Sequence, residues 1–134
     1  MELKNKLSDY IVAIENFLPN SKNQKLREIL DFNFFQFKKA EINTGVTKEN
    51  HIDNKVRITH TDSGKNMPRT LSYVYFINDD YKGGELIFEL PTNEVIKVNI
   101  QKNKLIMFPS NFLYPHKVLP VEEGVKYSVV SWAS

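Results

Sequence analysis

Three histidines are all the imidazole this chain of 134 residues contains, and no cysteine accompanies them. Metal or acid–base chemistry that needs an imidazole therefore falls on His51, His60 or His116. Thiolate-ligated zinc, iron–sulfur clusters, cysteine nucleophiles and a disulfide scaffold are excluded. His60 is followed two residues on by Asp62. In an extended segment residues i and i+2 project from one face, so an imidazole and a carboxylate at this spacing can approach one cation together. The pattern is weak alone, because His51 and Asp53 repeat it. Context separates the copies. His60-Thr61-Asp62 leads into an alternating apolar stretch from Leu71 and then into Gly83-Gly84, whereas His51-Ile52-Asp53 lies in a polar run. His60 and Asp62 are the candidate ligands, and His51 reads as a surface residue.

His116, within Phe108-Pro109-Ser110-Asn111-Phe112-Leu113-Tyr114-Pro115-His116-Lys117-Val118, is the candidate third ligand. Two imidazoles and one carboxylate on one face of a cation, with the opposite positions open, make the facial triad of non-haem Fe(II) sites. Ten residues further on, Lys126-Tyr127-Ser128 opens the last apolar run. Period-2 geometry puts Lys126, Ser128, Val130 and Trp132 on one face, with Tyr127 and Val129 on the other. A lysine among valines, on a face ending in Trp132, is expected to be partly buried, and a buried ammonium needs an anionic partner; the competing reading is an edge-strand lysine snorkelling to water. A carboxylate supplied by a ligand meets that need, with Ser128 adding a hydroxyl donor.

These residues need a scaffold that brings distant segments face to face. The texture changes once along the chain. Pro19 and then Ser21-Lys22-Asn23-Gln24 read as a capping box opening a short helix whose buried stripe is Leu26, Ile29 and Leu30. Short strands follow, expected at 35–42, 55–60, 71–77, 85–90, 95–100, 104–108, 113–118 and 127–133. Pro91-Thr92-Asn93-Glu94 joins two of them as a hairpin turn, and Gly83-Gly84 marks another turn. About eight strands without helices between them predict a mostly β fold, an antiparallel sandwich or jelly roll with a short N-terminal helical segment. One domain is expected over 1–134, with 1–54 as supporting strand and helix and 55–134 as the jelly-roll core.

Composition narrows the partners. With Lys+Arg 18 against Asp+Glu 16 and a net charge of +2, no basic stripe suggests nucleic acid. No apolar run approaches a membrane span, and MELKNKLSDY lacks the apolar segment of a signal peptide, so a cytoplasmic protein is expected.

From His60 to Trp132 the chain resembles the prolyl 4-hydroxylase-like branch of the Fe(II)/2-oxoglutarate-dependent dioxygenases. The matching runs are HTD, then RTLSYVYFINDDYKGGELIF, then LIMFPSNFLYPHKVLPVEEGVKYSVVSWA, all in family order. The resemblance implies a double-stranded β-helix, cupin-like in its jelly roll, in which His60, Asp62 and His116 bind Fe(II). It further implies that Lys126, assisted by Ser128, pairs with the distal carboxylate of the cosubstrate 2-oxoglutarate. O2 is the co-reactant, and ascorbate is a further candidate. Segment YIVAIENFLP resembles the family's N-terminal strand ahead of its first helix. Two departures stand out. The stretch before HxD is shorter than in relatives. Phe76 also occupies the site where some relatives supply a tyrosine hydroxyl, with Tyr73 and Tyr75 on the opposite face.

Candidate substrate or pocket residues are Arg69, Ser72, Tyr75 and Trp132. Arg69, Tyr81 and Glu85 are placed at the mouth, where the competing reading is a solvated acidic turn of Asp79, Asp80 and Glu85 offset by Arg69. The expected activity is hydroxylation of an unactivated C–H bond, on a prolyl or other residue of a peptide or protein. Two alternatives stay open. One is a degenerate, non-catalytic jelly-roll module that binds metal or ligand, and the other is a dioxygenase acting on a free small molecule.

Overall fold

The computed structural model describes residues 6–36 and 69–134 in full and, between them, the backbone of two short strands. In chain order the elements are β1 (Val12–Ile14), α1 (Asn20–Phe32), β2 (Glu41–Asn43), β3 (Lys48–Asn50), β4 (Leu71–Phe76) and β5 (Lys82–Gly83). They continue with β6 (Leu86–Glu89), β7 (Val95–Lys97), β8 (Lys104–Pro109), β9 (His116–Val118), β10 (Val121–Glu123) and β11 (Ser128–Ala133). The strand expected at 55–60 lies outside the described residues. The strand expected at 35–42 begins instead as a 3-10 turn, Phe34–Gln36, with β2 following later.

Alternation decides what each face of the main sheet does. That sheet runs β1-β8-β4-β11, all neighbours antiparallel, and its register sets Val74 between Ile106 and Val130. On its inner face Phe76, Ile106 and Phe108 pack with Leu86, Phe88, Leu90, Val98 and Tyr114, the contribution of the three-stranded sheet β7-β6-β9 and the loops beside it. Phe88 and Phe108 meet edge to face with centroids 4.8 Å apart. Each is fully buried, worth about 2–3 kcal/mol in transfer free energy. Two antiparallel sheets closed over one core form the expected jelly roll, a double-stranded β-helix. The outer face of the main sheet carries Tyr75, Ile77, Leu105 and Tyr127, covered by Leu18 and Leu30 from α1 and the loop before it.

The helix departs from its expected form. It starts at Asn20 behind Pro19 with no side-chain cap; the Pro19 carbonyl takes the amides of Lys22 and Asn23. Its buried residue is Asn23, while Leu26 and Ile29 are exposed and only Leu30 of the expected stripe packs inward. The reason is a polar staple. Asn23 Nδ2 donates to the Tyr75 hydroxyl at 2.9 Å and the Ile77 carbonyl at 3.0 Å. The Tyr75 hydroxyl donates to Asn103 Oδ1 at 2.8 Å, and Asn103 also bonds both backbone groups of Leu18. Each of these buried groups would cost about 1–3 kcal/mol if left unpaired.

A second clamp corrects the expected charge balance of the Asp79-Asp80 turn. Arg27, not Arg69, forks onto Asp80 at 2.7 and 2.9 Å and also holds Asp31. Glu85 faces Lys97 at 3.6 Å. Gly83 and Gly84 both take positive φ, as the turn reading requires. The hydrogen bonds from Arg27 and then from Asn78 hold the Asp80 carboxyl well below the usual carboxylate range. A depressed folded-state pKa stabilises above the unfolded value of about 3.9 and loses that contribution as pH falls further. The carboxylate is largely exposed, so the contribution is at most about 1 kcal/mol. Asp80→Asn should therefore lower the thermal midpoint by a few degrees at pH 7, with the gap from wild type closing as pH is taken down from 4. A gap independent of pH would contradict this account.

No helix among the described residues is long and apolar enough to cross a membrane.

Candidate functional site

His116 opens β9 and pairs across the sheet with Phe88. Its ring is buried, 5% exposed, between the rings of Phe88 at 5.6 Å and Phe108 at 5.0 Å. Nδ1 lies 3.0 Å from the Tyr114 carbonyl oxygen. A carbonyl only accepts, so Nδ1 is the donor in this contact. This arrangement suits metal binding: one nitrogen is anchored to the backbone and the ring is held by aromatic walls. His51, His60 and Asp62 lie outside the described residues. Among those described, no three metal-ligating side chains cluster.

From His116 a continuous row leads across the inner face. Phe108 touches His116, Ser72 pairs with Phe108, and Trp132 pairs with Ser72 on the other side of β4. Ser72 Oγ and Ser110 Oγ share a hydrogen bond of 2.8 Å, both residues fully buried. The Arg69 guanidinium stacks on the Trp132 ring at 3.7 Å, a cation–π contact. Arg69, Ser72 and Trp132 thus sit together on the side of the barrel that carries His116. Tyr75 does not join them. It points to the opposite face of β4, with its hydroxyl committed to Asn23 and Asn103, which corrects its place among the pocket residues.

Lys126 lies toward the other end of the same inner lining. Ser128 pairs with Phe76, four residues along β4 from Ser72, or about 13 Å at ~3.3 Å per residue. The Lys126 ammonium is part-buried, donates to the Gly84 carbonyl at 2.7 Å and lies 5.3 Å from the Phe76 ring centroid. Phe76 does face inward, with Tyr75 outward. Ser128 shares the Lys126 face and is solvent-exposed. Sequence reasoning missed the aromatic walls around His116. The period-2 spacing of Ile106 and Phe108 was the signal that could have found the Phe108 wall. It also placed Tyr81 at the mouth, whereas the residue is buried, 8% exposed.

The donor chemistry fits an iron and a 2-oxo dicarboxylate. The chain has no thiolate, His116 is oriented by a backbone carbonyl, and a part-buried ammonium stands on the same lining. The sequence model of the 2OG-Fe(II) oxygenase superfamily matches residues 35–134. A PKHD-type hydroxylase of Rippkaea orientalis is 35% identical over 92 residues, covering 66% of this chain and 38% of the relative. A PKHD-type hydroxylase of Burkholderia ambifaria is 31% identical over 90 residues, covering 66% and 37%. The chain therefore spans under two fifths of the length of these relatives. Two solved structures share the fold at 17% identity. A Trichoplax adhaerens prolyl hydroxylase in complex with a hypoxia inducible factor peptide fragment has a TM-score of 0.73, covering 93% of this chain and 83% of that one. A Pseudomonas putida prolyl-4-hydroxylase has a TM-score of 0.71, covering 92% and 91%. With more than half its length matched, the chain belongs to the 2OG-Fe(II) oxygenase superfamily.

Proposed function

We propose that this chain carries the catalytic core of an Fe(II)- and 2-oxoglutarate-dependent hydroxylase acting on a prolyl residue of a peptide. The observation that carries the reading is His116, buried between Phe88 and Phe108 with Nδ1–H fixed on the Tyr114 carbonyl. The names of the PKHD-type relatives and the peptide bound in the Trichoplax structure support the reaction class and the kind of substrate. When bound, iron supplies the oxidation that converts substrate C–H, O2 and 2-oxoglutarate into C–OH, succinate and CO2.

The protein's own part is placement. His60, Asp62 and His116 hold the metal through N and O donors. Lys126 meets the distal carboxylate as a point charge, and Ser128 adds a hydroxyl. The Arg69–Trp132 stack borders the approach for the peptide. Phe88 and Phe108 wall His116, and Phe76 lies beside the Lys126 ammonium. A cytoplasmic setting and ascorbate as an accessory reductant belong to the same proposal.

The test is incubation of the Fe(II)-loaded chain with 2-oxoglutarate, O2 and a panel of proline-containing peptides. The expected result is succinate release matched by a mass gain of one oxygen on a prolyl residue. Uncoupled succinate release with every peptide, alongside hydroxylation of a free amino acid, would overturn the peptide assignment.

A further inference from the structure

Beside the C-terminal end of α1 lies an open hollow of about 350 Å³. It belongs to the outer face of the main sheet, where Tyr127 sits, and not to the core that encloses His116. Aromatic rings line it: Tyr127, and Phe34 and Phe35 from the 3-10 turn that follows α1. Phe34 is 47% exposed and Phe35 93%, and Phe32 just before them is 85% exposed. Scattered exposed phenylalanines need no explanation, but three within four residues make a contiguous apolar patch, which marks an interaction surface.

The charges of the hollow say what the patch would accept. Arg27 stands in it with its guanidinium 5.6 Å from the Tyr127 ring centroid, bonded to Asp31 on one side and Asp80 on the other. One cation between two carboxylates leaves the hollow with a net negative charge. The carboxylates are not closed off by that pairing, since the Asp31 and Asp80 side chains are 51% and 60% exposed. More acid surrounds them. Asp79 precedes Asp80, and Glu122-Glu123 lead into Gly124, where an added Cβ would lie 2.9 Å from the Asp80 carbonyl oxygen. The nearby cations besides Arg27 are Lys82, paired with Glu123, and Lys102, whose backbone amide meets Asp79. This corner is thus acidic on a chain whose formal net charge is +2.

We infer that this hollow is a docking site for an arginine side chain presented by a peptide. Open aromatic faces beside exposed carboxylates suit a guanidinium, which stacks on rings and forks onto carboxylates, better than a compact, strongly hydrated ammonium. Arg27 already displays that mode against Tyr127, Asp31 and Asp80. The incoming guanidinium stacks on Phe34 and Phe35 and takes the outward edges of the same two carboxylates. The site lies across the main sheet from His116, so it holds a basic peptide segment without entering the proposed catalytic lining. The inference does not depend on the proposed function.

The experiment is fluorescence anisotropy of a labelled Gly/Ser peptide carrying two arginines, titrated with the anaerobic Fe(II)-loaded full chain at low ionic strength. A citrulline peptide, equal in shape and uncharged, is the comparison, and thermal midpoints are recorded for each variant. The expected result is saturable binding of the arginine peptide, about threefold weaker in Phe35→Ala and in Asp31→Asn and about tenfold weaker in the double variant. Phe35 is exposed, so Phe35→Ala alone keeps the test should Asp31→Asn lower the midpoint. The citrulline peptide should bind at least tenfold more weakly, added salt should weaken the arginine complex, and Trp132→Ala should leave its affinity unchanged. Equal affinity for the two peptides, or wild-type affinity in Phe35→Ala, would overturn the inference. So would a loss in Trp132→Ala, which places the peptide beside Arg69, or no saturable binding at millimolar chain. None of these outcomes touches the proposed function, because binding is read without turnover.

Discussion

Substitution of His116 by alanine is expected to lower turnover by more than about 100-fold while the chain stays folded. Changes in residues that only orient a metal ligand typically cost 10–100-fold, and removal of a ligand itself should exceed that range. The substitution also empties a space between Phe88 and Phe108, with a stability cost of a few kcal/mol. Circular dichroism and a thermal scan separate the two effects, and His116→Gln, which fills more of the space, is the companion variant. His60→Ala and Asp62→Ala should match the loss of turnover, whereas His51→Ala should leave it near wild type. Activity lost in the His51 variant and kept in the His60 variant would reverse the ligand assignment.

The second large effect belongs to Lys126. Lys126→Met retains much of the stem that lies beside Gly84 and removes the charge. Loss of a hydrogen bond to a charged group is worth about 1.5–3 kcal/mol, so the 2-oxoglutarate concentration for half-maximal rate should rise roughly 10- to 150-fold. The Fe(II) requirement should not move, because the ammonium donates to the Gly84 carbonyl beside the Phe76 ring, apart from the His116 cage. Lys126→Arg should rescue only partly, since a planar fork replaces the compact ammonium that meets the Gly84 carbonyl. An unchanged 2-oxoglutarate requirement in Lys126→Met would remove the carboxylate role from this residue.

How far such placements were readable from sequence depends on the distance over which each is decided. Period-2 alternation placed Ser72, Val74 and Phe76 opposite Tyr73 and Tyr75, and the sheet keeps that division because a one-residue slip would turn Phe76 out of the core. The same rule put Lys126 and Ser128 on the inner face with Trp132. The turn at Pro91-Thr92-Asn93-Glu94 was legible from its own residues, and Asn93 takes the positive φ it requires. What sequence hid was settled by partners distant in the chain. Asn23 is buried because Tyr75 and Ile77 need its amide, so the apolar stripe of Leu26 and Ile29 misled. Arg27 claimed Asp80 from 53 residues away, while the expected Arg69 stacks on Trp132. The β5–β10 ribbon, of two and three residues, is too short for any periodicity to announce. His116 and Lys126 could be named as candidates by residue type and order. The burial of the Tyr81 hydroxyl could not be read, because nothing local to the Asp79-Asp80 turn indicates it.

The most direct test of the central claim is anaerobic addition of Fe(II) and then 2-oxoglutarate to the folded chain, followed by visible absorption. A metal bound by the triad and chelated by the 2-oxo acid gives a metal-to-ligand charge-transfer band. The account predicts that band in wild type and in His51→Ala, and its loss in His116→Ala. A folded wild-type chain that shows no band at saturating 2-oxoglutarate would contradict it.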